Sequence, residues 1–239
     1  ALEYRGYDSA GLAYLIGGKP ELVKQVGRVE ALNKLLNERD LSTATLAIGH
    51  TRWATHGTPT IANAHPHCNS DKTIFVVHNG IIENYQILKG WLEKQGCTFV
   101  SQTDTEVIPH LIDHYYRKSH NLDEAFENAV KELRGAYAIA MCSSQEPDKL
   151  YAAKLSSPLI IGVGKGEFFL ASDPTAVMDH TKDIVFVEDY ELVTITRGQS
   201  YSIKDFQKSI DVTRDVEKLD FDVEKIQLGD FPNYMLKEI

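Results

Sequence analysis

The chain has 239 residues, 43% hydrophobic and 25% charged, an ordinary globular composition and long enough to bury a substantial core. With 25 Lys and Arg against 34 Asp and Glu its formal charge is −9, so it has no electrostatic reason to seek nucleic acid or anionic lipid. No apolar run reaches the length of a membrane span, no basic start leads into a secretory signal, and three widely spaced cysteines (Cys68, Cys97, Cys142) read as free thiols of a cytoplasmic protein.

Residues 1–10 open without a start methionine or a cap, and read as a chain entered partway through an element. Strands are predicted at 12–16 and 22–26, joined by the turn signal Gly17-Gly18-Lys19-Pro20. Val29, Leu32, Leu35 and Leu36 share one face of a helix predicted over 29–38. A strand at 46–49 runs into an irregular stretch, 51–72, rich in His, Thr, Asn and Pro; so long a loop in a compact domain points to function. A strand at 73–78 and an amphipathic helix over 84–95 come next. Thr103-Asp104-Thr105-Glu106 fits a capping box opening a helix that ends near Tyr116, and a further helix spans 122–133. From Ala136 the pattern turns to strands, at 136–141, 150–153, 159–163, 168–171, 184–187, 192–195 and 201–203, with a short helix near 175–178. Helices and strands are grouped, which predicts α+β with largely antiparallel sheets. The domain is placed at 1–203, and the charged residues 204–239 read as a linker.

The densest chemistry is His50-Thr51-Arg52-Trp53-Ala54-Thr55-His56-Gly57. Arg52 offers a planar fork of donors suited to a carboxylate or phosphate, or ties down its own loop. Asn79-Gly80 reads as a two-residue hairpin turn, or as an amide pair converging on a carbonyl oxygen that gains negative charge. Asp104 at a helix mouth suits a substrate ammonium, or only caps the helix. His65-Pro66-His67-Cys68, with His50, His56 and His78, raises a zinc hydrolase, but the spacing fits no standard metal set; hydrogen bonding that holds the loop is the plainer alternative. Taken together, Arg52, Asp104, Asn79 and Gly80 suggest an amino-acid clamp that lacks a nucleophile.

These words, at 2–11, 50–57, 63–67, 78–84, 103–107, 133–136 and 157–159, resemble the glutaminase domain of the glucosamine-6-phosphate synthases (glutamine–fructose-6-phosphate aminotransferases, isomerising). Residues 234–239 resemble that family's entry into its sugar isomerase half. The resemblance implies an N-terminal-nucleophile hydrolase fold, a four-layer αββα sandwich, and ammonia supply for amino sugar biosynthesis. It implies that Arg52, Thr55 and His56 hold the glutamine carboxylate end, Asp104 the amino group, and Asn79 with Gly80 the oxyanion. Trp53 looks like the gate on the ammonia path, Arg5 and Asp8 would shape the wall beside the nucleophile, and His65 would support the loop. It implies no cofactor or metal, a homodimer in the full-length protein, and glutamine and glutamate as ligands. The family's nucleophile is an N-terminal cysteine activated by its own α-amine. This sequence does not contain that cysteine or the isomerase half, so the 239 residues alone are expected to be inactive, or to be a non-catalytic glutamine-binding fragment.

Overall fold

The structure, a computed structural model, describes residues 6–54 and 57–219. Strands β1 (Ser9–Ile16) and β2 (Lys19–Val26) form an antiparallel hairpin closed by Gly17 and Gly18, both at positive φ. After helix α1 (Val29–Leu36), strand β3 (Ala44–Arg52) pairs with the other side of β1, giving the order β2-β1-β3. Apolar residues occupy nearly every position of β1 because both its faces are covered. Ala10 and Tyr14 pack with Leu32 of α1, whereas Ala13 turns the other way, against Ile48, Phe75 and Cys142.

Phe75 and Cys142 belong to a seven-stranded antiparallel sheet. Its members are β4 (His67–Cys68), β5 (Ile74–Ile82), β6 (Gly135–Ser143), β7 (Lys149–Leu155), β11 (Glu191–Thr196), β12 (Tyr201–Asp205) and β13 (Ile210–Val212), in the order β13-β12-β11-β7-β6-β5-β4. A third sheet has the order β14-β10-β8-β9, from β8 (Ile160–Val163), β9 (Phe168–Ala171), β10 (Asp183–Phe186) and β14 (Glu217–Lys218). Period-two alternation divides the large sheet into two faces. Ile74, Val76, Ile139, Met141 and Tyr151 meet helices α2 (Tyr85–Lys94), α3 (Val107–Ser119) and α4 (Leu122–Glu132) through Leu92, Ile108, Leu111, Ile112 and Phe126. Each such buried aliphatic contributes about 1.5–3 kcal/mol. Ala138, Ala152, Val193 and Ile195 on the opposite face meet Leu159, Ile161, Val185 and Val187. A 3-10 turn, Pro174–Ala176, lies beside the outward residues Ile160 and Ile184. The result is the expected α+β sandwich of helix, sheet, sheet and helix layers.

Three expectations need correction. Asn79-Gly80 is not a hairpin turn: β5 runs through it, paired with β6 from Ile74↔Ser143 to Ile82↔Gly135. Nor does the capping box form. The helix starts at Val107, and the Glu106 carboxylate instead accepts from the Val100 and Ser101 amides at 2.9 and 2.7 Å. The Thr103 hydroxyl turns to His67 Nε2, at 3.1 Å. Finally, residue 204 does not begin a linker. Residues 204–219 complete β12 and add β13 and β14, Phe206 joins the main core, and buried Glu191 binds Arg214 at 2.5 and 2.9 Å. The remainder of that stretch, 220–239, including the motif at 234–239, lies outside the described residues.

Candidate active site

Strand β3 ends on Arg52, which is only 4% exposed. One guanidinium nitrogen donates to Gly57 O at 3.0 Å, so the arginine does fasten its loop. Burial lowers its pKa, opposed by the nearby carboxylates of Asp8 and Asp104. Asp8 also accepts from the Ala54 amide at 2.5 Å, fixing the chain just after Trp53. Trp53 is 60% exposed and meets Tyr7 edge to face, with centroids 5.4 Å apart. Arg5, Thr55 and His56 lie outside the described residues.

Beyond Arg52 the loop is held by side chains. Asn63 donates to Thr58 O at 2.9 Å and accepts from the Gln102 amide at 2.9 Å, joining the loop to the segment that carries Asp104. Asp104 is buried and does not cap a helix; its Oδ2 accepts from the Ile82 amide at 2.7 Å, two residues past Gly80. Gly80 has φ +129, and a Cβ there would lie 2.0 Å from Ala136 O, so only glycine fits this close approach to β6. Asn79 faces the other sheet, its Oδ1 2.7 Å from His50 Nε2.

The histidines knit the same region. The His78 amide donates to His65 Nδ1 at 3.4 Å, and Thr105 Oγ1 lies 3.5 Å from His65 Nε2 and 3.0 Å from His78 Nδ1. His50 stacks on His65 at 4.3 Å. Burial pushes His50 and His78 down to about 4 and His67 to about 3, and His65 well below its ordinary value, so all four rings are neutral near pH 7. His65 through both ring nitrogens and His67 through Nε2 hold the loop by hydrogen bonds, the plainer of the two alternatives for these residues. Among the described residues no group of three or more His, Cys, Asp or Glu side chains is arranged to hold a metal.

Arg52, Trp53, His65, Asn79, Gly80 and Asp104 all line one cavity of ≈ 490 Å³. Sequence reasoning did not place His50, Thr103 or Thr105 in this lining, nor its apolar part, Ala138, Leu159, Leu170 and Val177. Strand parity carried a signal for His50, because Gly11↔His50 fixes which face of β3 it occupies once β1 is paired. None of the three cysteines lines the cavity. Burial pushes the Cys142 thiol up to about 12 and raises Cys68 and Cys97.

Residues 50–179 match the profile of a family described as a glutamine amidotransferase domain. Over its whole length the chain is 46% identical to the glutamine–fructose-6-phosphate aminotransferase (isomerizing) of Chlorobaculum tepidum, 47% to that of Clostridium perfringens and 45% to that of Pyrococcus horikoshii. It covers 39%, 38% and 40% of those proteins, so it spans about two fifths of the length of the relatives it matches. Among solved structures, the glutamine phosphoribosylpyrophosphate amidotransferase of B. subtilis superposes with a TM-score of 0.70 at 28% identity, over 86% of this chain and 44% of that one. A glutamine aminotransferase class-II domain protein from Silicibacter pomeroyi gives 0.57 at 16% identity, over 83% and 91%, a likeness of fold alone. The fold shared with these amidotransferases is of the N-terminal-nucleophile type.

Proposed function

We propose, for a chain that belongs to the family of glutamine amidotransferase domains, that it is the amide-hydrolysing part of a glutamine–fructose-6-phosphate aminotransferase. It releases ammonia from glutamine, and the sugar isomerase half of the same polypeptide uses that ammonia to make glucosamine 6-phosphate. The observation that carries this reading is the meeting of Arg52, Asp104, Asn79 and Gly80 in one cavity. Arg52 takes the α-carboxylate and Asp104 the α-ammonium. The Asn79 carboxamide and the Gly80 N–H receive the side-chain carbonyl oxygen as negative charge develops on it. Thr55 and His56 complete the carboxylate end, Arg5 and Asp8 back the nucleophile, and Trp53 gates the ammonia path.

The nucleophile is a cysteine thiol borne by a segment outside this sequence. Raised thiol pKa values and positions away from the cavity argue against Cys68, Cys97 and Cys142. Strands β3 and β9 each have a single paired neighbour among the described residues, and both line the cavity. An extended segment seated between them would bring a terminal thiol to the clamp. The thiolate attacks the glutamine carbonyl, ammonia leaves, and water hydrolyses the thioester to glutamate, with the terminal amine carrying the proton. By this reading the 239 residues alone do not hydrolyse glutamine.

The test is ammonia release by the full-length protein. Arg52→Ala should raise KM for glutamine about 10–100-fold, the worth of a lost charge-assisted pair. Asn79→Ala should lower kcat about 10²–10³-fold. A wild-type KM in Arg52→Ala together with a wild-type kcat in Asn79→Ala removes the clamp. Calorimetric binding of glutamine without turnover by the full-length protein favours the second reading, a binding module without chemistry.

A further inference from the structure

We infer that His50 is a positioning residue for the proposed amide hydrolysis, holding the Asn79 carboxamide with its oxygen bound and its nitrogen presented to the cavity. The inference rests on the amidotransferase reading and deepens it. A carboxamide is nearly symmetric in shape but opposite in chemistry at its two ends. Half a turn about its last bond replaces two N–H donors by an acceptor oxygen. An oxyanion site needs the donor end, so something must fix the choice.

His50 is the group in position to do so. It sits on β3, in the smaller sheet, while Asn79 sits on β5, in the larger one, so their contact crosses between sheets. His50 Nε2 and Asn79 Oδ1 are 2.7 Å apart, a full-strength hydrogen bond. The described residues form no hydrogen bond to Asn79 Nδ2, and both side chains line the cavity. The ring is itself fixed. It stacks on His65 at 4.3 Å with planes 18° apart, and His65 is tied through Nδ1 to the His78 amide. Burial keeps the imidazole neutral near pH 7, with a single N–H to give. Placed on Nε2, that hydrogen points at Asn79 Oδ1. Arg52 and Asp8 are the charged groups that bear on the ring, and their effects on it oppose one another.

The role predicts a particular kinetic signature. Without the bond the amide samples both orientations, so transition-state stabilisation falls while the carboxylate and ammonium contacts remain. In the full-length enzyme His50→Met should lower kcat for glutamine hydrolysis about 10–100-fold and leave KM within about threefold, a partial loss of the oxyanion contribution. His50→Gln, which keeps a side-chain N–H, should recover most of the rate. The double variant His50→Met/Asn79→Ala should be no slower than Asn79→Ala alone, since one residue acts through the other.

Full kcat in His50→Met, or additive losses in the double variant, overturns the inference. Should His50→Met fail to fold, the unmodified protein still decides: nitrogen NMR of the His50 ring must show the proton on Nε2, and a proton on Nδ1 overturns it. If Asn79→Ala keeps full kcat, the oxyanion assignment fails and takes His50 with it. If only Asn79→Ala is slow, the amidotransferase reading stands and the role of His50 alone is lost.

Discussion

Asp104 has two tasks that substitution can separate. Its carboxylate accepts from the buried Ile82 amide at 2.7 Å, and it is the acid of the proposed clamp. Asp104→Asn keeps an acceptor oxygen for Ile82 and loses the charge. It should therefore unfold at nearly the wild-type urea concentration while KM for glutamine rises at least tenfold. Asp104→Ala also strands the Ile82 N–H, which adds about 1–3 kcal/mol of destabilisation. Equal midpoints for the two variants would remove the structural task. Arg52, Asp104 and Asn79 were legible as chemistry, because a guanidinium, a carboxylate and a carboxamide advertise what they bind. For His50 the histidine cluster and strand parity were legible but the partner was not, because Asn79 lies 29 positions away, across the gap between two sheets. Sequence spacing carries no trace of that contact.

At the scale of elements, glycines mark where backbones crowd and where they do not. Gly11 sits in β1 beneath the histidine loop, and a Cβ there would lie 2.2 Å from His65 O. Gly11→Ala should cost about 1–3 kcal/mol, because backbone cannot swing aside as a side chain can. Gly90, inside α2, has no heavy atom beyond its own stretch of helix backbone within 4 Å of the position a Cβ would take, among the described residues. Gly90→Ala should stabilise the fold by roughly 0.5–1 kcal/mol through helix propensity. Urea midpoints moving in the same direction for both would contradict this assignment of crowding. The existence of most strands and helices was readable from period-two and helical spacing. The misread ends share one cause, a local signal overridden by a partner distant in sequence. Asn79-Gly80 has the composition of a turn, but nine consecutive pairings with β6 carry the strand through it. Thr103 and Glu106 have the spacing of a capping box, but His67 and the Val100 and Ser101 amides claim them first.

For the molecule as a whole, the domain extends past residue 203 because Phe206 and Arg214 supply part of its core and the partner of a buried charge. Strands β13 and β14 are largely exposed edges, so they lack the alternation that would have revealed them. Arg214 neutralises Glu191, which is 2% exposed; removing it in Arg214→Met should cost about 2 kcal/mol, less than a fully enclosed pair because Arg214 is itself 37% exposed. The histidine network sets a second molecule-wide property. In the unfolded chain His50, His65, His67 and His78 titrate near 6.5, whereas in the fold their affinity for protons is depressed, to about 4 for His50 and His78 and about 3 for His67. Between those values the unfolded state binds more protons than the folded state, so stability falls as pH drops from 6.5 towards 4. The loss is about 1.4 kcal/mol per pH unit for each histidine fully engaged. Glu106, where burial is outweighed by the nearby His110 ring, 3.8 Å away, and by hydrogen bonds from the Ser101 and Val100 amides, and which is held at about 2, adds a loss in the same direction below pH 4.5. Urea unfolding at pH 7.5, 6.0 and 5.0 should show a steepening decline, and His67→Gln should flatten it by about one proton. A stability that stays level down to pH 5 would mean that these rings already carry protons in the folded protein, and the neutral network holding the loop to the Asp104 segment would then have to be abandoned.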